Sequence, residues 1–127
     1  MDIQTHKLID MELCGKPVHL EEGLSRVEMN TTDKMRVDDS GLVHGGFVFG
    51  LADYAAMIAV NNPNVVLGGA DVKFLKPIRV NESITAEAKV IQKQGREQNV
   101  QVSVIRGNEK VFEGEFICFV LDKYVID

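Results

Sequence analysis

Cysteine and histidine are scarce in this chain, and it has no excess of basic charge and no long apolar run. Cys14 and Cys118 are the only cysteines among its 127 residues. Two lone cysteines read as buried thiols of a reducing compartment, so a cytoplasmic protein is expected. No Cys-x-x-Cys occurs, and the three histidines are scattered without zinc spacing, so no metal is expected. Lys and Arg number 14 against 19 Asp and Glu, a net charge of −5 that argues against general nucleic-acid binding. No apolar run reaches the ~18 residues of a membrane span. The first residues, Met1-Asp2-Ile3-Gln4-Thr5-His6-Lys7, lack the basic start and apolar core of a secretion signal. Repeats and low-complexity segments are absent as well. What remains is the composition of a soluble globular protein, long enough for one domain over residues 1–127.

What is present centres on one stretch. Gly41-Leu42-Val43-His44-Gly45-Gly46 leads into an apolar segment that runs to Val60. From Phe47 to Val60 its only polar groups are the Asp53 carboxyl and the Tyr54 hydroxyl. The segment is too long for one strand and apolar on every side, so it predicts a buried helix from about Gly45 to Val60. Asn61-Asn62-Pro63-Asn64 ends it, because proline cannot continue a helix and Asn suits its cap.

Around that helix the pattern is of strands. Residues 1–15 are an N-terminal extension in which Ile3, Leu8, Ile9 and Leu13 suggest one face of a short helix, broken by Gly15-Lys16-Pro17. Val18 to Met29 reads as one interrupted strand with a bend or bulge at Gly23. After the helix, Val65 to Pro77 reads as a strand with a bulge at Gly68-Gly69. Ile84, Ala86, Ala88 and Val90 alternate with Thr85, Glu87 and Lys89, and Val100, Val102 and Val104 with Gln101 and Ser103. Turns at Gln94-Gly95-Arg96 and Arg106-Gly107-Asn108-Glu109 lead to a last strand from about Val111 to Asp122. Strands joined by such short turns pair antiparallel. The expected fold is α+β, with five strands and one long helix. A helix apolar all round requires the sheet to curl about it or a second subunit to cover it.

The chemistry of the stretch has two ends. The first N–H groups of a helix lack internal partners and carry the positive end of its dipole. Gly45-Gly46 there offers a backbone N–H to an incipient oxyanion, a contact worth about 3–4 kcal/mol, or simply permits close packing. His44 reads as a hydrogen-bonding support or a catalyst. Asp53 has no cationic neighbour along its helix, so its burial points to a site. Asp53 lies ~12 Å along the helix axis from Gly45. A carbonyl held at Gly45 is out of hydrogen-bond reach of the same chain's Asp53. If both act on one group, a second antiparallel copy must supply Asp53, and a homodimer with two equivalent sites follows.

His44-Gly45-Gly46 followed by the acid of Leu51-Ala52-Asp53 resembles the signature of hotdog-fold acyl-CoA thioesterases, in particular the phenylacetate-pathway (PaaI-like) branch. Phe74-Leu75-Lys76-Pro77 and Gly95-Arg96 are similar to the corresponding parts of that family, and the resemblance spans residues 16–122. It implies a curled antiparallel sheet around the central helix. It also implies hydrolysis of an acyl- or aryl-CoA thioester, with Gly45 polarising the carbonyl and Gly46 beside it. Asp53 of the partner subunit would be the nucleophile or general base, and His44 its support. The family often has Asn or Gln six residues before the histidine; here the residue is Asp38, a second carboxylate and the runner-up for the leading role. Lys73, Lys76, Arg79, Arg96 and Arg106 are the candidates to meet the phosphates of coenzyme A. No cofactor is implied beyond the coenzyme A of the substrate. The family forms homodimers and commonly homotetramers. Ala55, Ala56 and Ala59 border an acyl pocket or pack between helices. Alternatives are an acyl-CoA-binding hotdog protein without turnover, against which the acid at position 53 argues, and a hotdog enoyl-CoA hydratase, whose motif is absent. No DNA-binding extension is recognisable, which argues against a repressor.

Overall fold

The structure is a computed structural model that describes residues 1–127. Six strands form one antiparallel sheet: β1 Lys16–Glu21, β2 Leu24–Asn30, β3 Val65–Phe74, β4 Ser83–Gln94, β5 Glu97–Arg106 and β6 Glu109–Val120. Their order is β1-β2-β4-β5-β6-β3, so β1 and β3 are the edges. Two α-helices accompany it, a single turn α1 (Met11–Cys14) and the long α2 (Gly45–Val60). α2 packs against all six strands, which a sheet achieves only by curling around it.

The observed α2 has the predicted bounds, and its caps explain them. His44 stands at the N-cap, and Asn61 at the C-cap adopts the left-handed conformation (φ 54°) that ends a helix. Val48, Leu51, Ala52 and Tyr54 to Ala59 are buried. A stripe at helical spacing stays at least partly open: Gly46, Gly50 and Asp53. A side chain at Gly50 would meet nothing within 4 Å. Ser25 of β2 ties the helix down, its buried Oγ donating to the Ala55 carbonyl at 2.7 Å.

Two sequence expectations need correction. Residues 18–29 are not one strand with a bulge. Gly23, at φ 76°, forms the turn of a hairpin in which Glu21 pairs with Leu24, so the sheet has six strands rather than five. The edge strand β1 has a bulge between Pro17 and His19 and shows no clean alternation of burial. The N-terminal helix is shorter than its apolar residues suggest. Only Met11–Cys14 is helical, capped by Asp10, whose carboxylate accepts from Glu12 and Leu13 N–H at 2.9 and 3.1 Å. Ile3, Ile9 and Leu13 pack against the core, while Leu8 is 99% exposed. The bulge expected at Gly68-Gly69 is present as a register shift in the β3–β6 pairing. The Phe119 ring occupies the space a Gly68 side chain would need.

Residues 1–9 form a strap laid across the end of α2. Gln4 N–H donates to Asn61 Oδ1 at 2.7 Å, and Asn61 Nδ2 donates to the Asp2 carbonyl at 2.9 Å. The residue that stops the helix thus also anchors the strap. No helix is long and apolar enough to cross a membrane.

Candidate functional site

The site has two parts, one at each end of the first two turns of α2. At the N-terminus, the loop from Met35 to His44 is stitched in place by His44 N–H to the Met35 carbonyl and Val43 N–H to the Ile78 carbonyl, both 2.8 Å. The His44 ring turns back on the helix, and its Nδ1 accepts the Gly46 N–H at 2.7 Å. That satisfies one of the orphan donors of the first turn. The Gly45 N–H makes no hydrogen bond within the chain. Gly45 packs closely on Phe74: a Cβ there would lie 3.2 Å from Phe74 Cε2. A Cβ on Gly46 would lie 2.7 Å from His44 Nδ1 and break the cap. A cavity of about 250 Å³ opens here, lined by Gly45, Val48, Phe74, Lys76, Ile78 and Val111 among others.

The second part is Asp53. Its Oδ1 is buried and has no hydrogen-bond partner. Burial pushes the Asp53 carboxyl up to about 6, because a charge in that setting lacks the solvation it has in water. The carboxyl borders a cavity of about 470 Å³ that is also lined by Met57, Val65 and Leu67 and by Thr5 and His6 of the strap. Burial also raises the Cys14 thiol, and raises Cys118 to about 12, with Asp53 adding to both. Both cysteines are free, and at neutral pH they are thiols rather than nucleophilic thiolates. The Gly45 and Asp53 cavities share no lining residue.

Asp38 belongs to neither cavity. It opens the turn before α2, where its carboxylate accepts from Ser40 N–H at 2.9 Å and Ser40 Oγ at 2.5 Å. Those bonds hold it below the usual carboxylate range. Of the five basic residues, Lys76 lines the Gly45 cavity and Arg79 a smaller pocket beside it with Ser40, Leu42 and Pro77. Lys73 lies on the outer sheet face among Asp71, Glu113 and Glu115. Arg96 pairs with Asp122. Arg106 donates to the Pro77 carbonyl at 2.7 Å and pairs with Glu82 and Glu109. Thr5, His6 and Phe74 were not singled out as site residues from the sequence. The Asx turn at Asp38 and the strap's place at the cavity are tertiary facts without a local signature.

A six-stranded antiparallel sheet curled around one long helix is the hotdog fold. Residues 40–113 match the family model of the thioesterase superfamily, and the chain belongs to that family. A solved structure of the uncharacterized protein PH1136 from Pyrococcus horikoshii is 53% identical, with a TM-score of 0.99 over 100% of this chain and 98% of that one. A variant of the phenylacetic acid degradation protein PaaI from Thermus thermophilus is 26% identical, with a TM-score of 0.80 over 87% of this chain and 97% of that one. A methylthioribose-1-phosphate isomerase from Aquifex aeolicus is 52% identical over 98% of this chain. The chain spans only 27% of that enzyme. It spans 58% of a FapR transcription factor from Caldanaerobacter subterraneus, which it matches at 26% identity over 91% of its own length.

Proposed function

We propose that the protein hydrolyses acyl-CoA thioesters to a carboxylic acid and free coenzyme A. The observation that carries this reading is the Asp53 carboxyl, mostly buried, with one oxygen unpartnered, on the wall of a cavity large enough for an acyl group. A structural carboxylate buried this way would be expected to have a partner. An acid raised to about 6 is poised to take a proton near neutral pH.

The Gly45 N–H is the complementary group. It is unpaired, sits at the positive end of α2 and has a cavity beside it. The two groups lie ~12 Å apart along one helix, so one thioester engages both only if a second copy packs antiparallel. The open stripe of Gly46, Gly50 and Asp53 suits such an approach. So does β3, whose ten residues leave one edge unpaired. In the complete site, Gly45 of one copy polarises the carbonyl and Asp53 of the other activates water. His44 fixes the helix N-terminus, and Lys76 and Arg79 flank the approach for the coenzyme A phosphates. The coenzyme A of the substrate is the only cofactor this chemistry uses.

The test is release of free thiol from acetyl-, hexanoyl- and phenylacetyl-CoA by wild type, Asp53→Asn and Asp38→Asn. Loss of kcat by about 10²–10⁴ in Asp53→Asn, with Asp38→Asn near wild type, is expected for a lost general base. The reverse pattern transfers the role to Asp38. Tight acyl-CoA binding with no thiol release by wild type replaces the enzyme with a binding protein.

A further inference from the structure

The strap supplies a group that the thioesterase reading leaves unassigned. His6 is one of three residues other than glycine with positive φ, at 55°, a conformation that costs a side-chain-bearing residue energy and persists only where surroundings enforce it. The enforcement is visible. Thr5, only 7% exposed, holds His6 Nδ1 through its Oγ1 at 2.8 Å. The Asn61 clamp fixes the strap just ahead of it. The His6 ring lies against Tyr54, the helix residue after Asp53, with ring centroids 6.3 Å apart. His6 Nε2 makes no hydrogen bond within the chain, and His6 lines the cavity that Asp53 borders. No bond joins His6 to Asp53. The strap also lies outside residues 40–113, the part of the chain that the family match covers.

We propose that His6 holds the attacking water for Asp53, Nε2 accepting a hydrogen bond from one water O–H while Asp53 takes the proton of the other. The inference rests on the thioesterase reading and gives it a specific partition of roles. The role requires the His6 tautomer in which Nδ1–H donates to Thr5 Oγ1 and Nε2 is left as the acceptor, since the bond made by one ring nitrogen is tied to the state of the other. Burial lowers the His6 pKa, which favours the neutral ring. The other titratable groups at the cavity, Lys7 and Tyr124, lie at its exposed rim. During attack the water oxygen bonds to the thioester carbon, and its proton passes to the Asp53 carboxylate. The carbonyl electron pair moves onto the oxygen at Gly45 N–H of the second copy. On collapse the C–S bond breaks, and the departing thiolate takes the proton back from Asp53. His6 gains and loses nothing; it orients a lone pair of the water.

The test compares His6→Gly and His6→Asn with wild type on hexanoyl-CoA, following thiol release. Glycine accepts φ 55° without strain, so His6→Gly removes the ring without opposing the strap's backbone. We expect kcat to fall at least about tenfold with KM within about twofold, since misplacing a reacting group by an ångström is this costly. The acid limb near pH 6 set by Asp53 should remain. His6→Asn, which keeps a hydrogen-bonding group and tolerates positive φ, should recover part of kcat. Added imidazole should recover part of it in His6→Gly. Unchanged kcat in His6→Gly overturns the inference. So does a loss that neither Asn nor imidazole relieves, which would make the ring a packing element. If wild type releases no thiol from any acyl-CoA, the thioesterase reading fails. If Asp53→Asn is inactive while His6→Gly keeps full activity, only the role of His6 fails.

Discussion

The Nδ1 of His44 accepts the Gly46 N–H at 2.7 Å, while the neighbouring Gly45 N–H makes no hydrogen bond within the chain. The histidine is thus a cap before it is anything else. His44→Ala should destabilise the protein by about 1 kcal/mol, the usual cost of a lost N-cap. His44→Asn, which caps equally well, should stay within a few tenths of a kcal/mol of wild type. Chemical denaturation of the two variants separates the outcomes. Equal stability of all three proteins would remove the cap from the account of the site.

Asp53 makes a prediction about stability as well as rate. Its folded pKa of about 6 lies above the usual 3.8, so the folded state binds a proton that the unfolded chain has already lost between those values. The contribution of Asp53 is therefore most favourable below pH ~4 and is lost as pH rises through ~6. The shift corresponds to at most about 3 kcal/mol. Asp53→Asn should be more stable than wild type at pH 8 by about 1–3 kcal/mol and indistinguishable at pH 4. Denaturation at both pH values, at one protein concentration, reads this directly. Over the same range the rate should rise with pH as the carboxylate forms. A gain in stability from Asp53→Asn at pH 4 as large as at pH 8 would refute the burial argument.

Gly50 lies on the open stripe of α2, where an added side chain meets nothing within 4 Å in the chain itself. Gly50→Met should therefore leave the protomer folded, with a small gain in helix propensity of up to about 1 kcal/mol. If the stripe faces a second copy, the same substitution blocks the approach. Sedimentation should then find a shift toward monomer, and thiol release should fall with it. A Gly50→Met protein that remains a fully active dimer would place the second copy elsewhere.

The basic residues divide by what already holds them. Arg106 is committed to the Pro77 carbonyl and to Glu82 and Glu109, so Arg106→Ala should lower the unfolding midpoint by a few degrees and leave KM near wild type. Lys76 sits at the Gly45 cavity with only a distant contact to Glu109, at 4.0 Å, and the Arg79 guanidinium makes no ion pair. Lys76→Ala and Arg79→Ala should raise KM for acyl-CoA severalfold with kcat little changed, since losing uniform binding affects KM alone. KM values for the three variants decide the division.

The central helix was legible because its signal is local. Fourteen residues from Phe47 to Val60 carry one charge, and Asn61 with Pro63 marks the stop. The alternating strands around Ala86 and Val102 were legible for the same reason. The first hairpin was not, because β1 is a bulged edge strand whose Val18 is 48% exposed, which blurs the period of two. Gly23 then resembles an interruption rather than a turn. Both halves of the candidate site carry a local signal, Gly45 in its His-Gly-Gly run and Asp53 as the one acid of an apolar helix. The strap was not, because nothing periodic distinguishes Gln4 to Lys7. What matters there is a clamp from Asn61, fifty-seven residues away.

The strap carries one practical consequence. Gln4 to Lys7 and Tyr124 lie close to opposite ends of the chain, yet they line the same cavity as Asp53. Whatever is joined to either end, whether a purification tag or the remainder of a longer polypeptide, is therefore grafted beside the mouth of that cavity. Linker length and charge become kinetic variables, and the protein freed of its tag is the reference against which every variant has to be read.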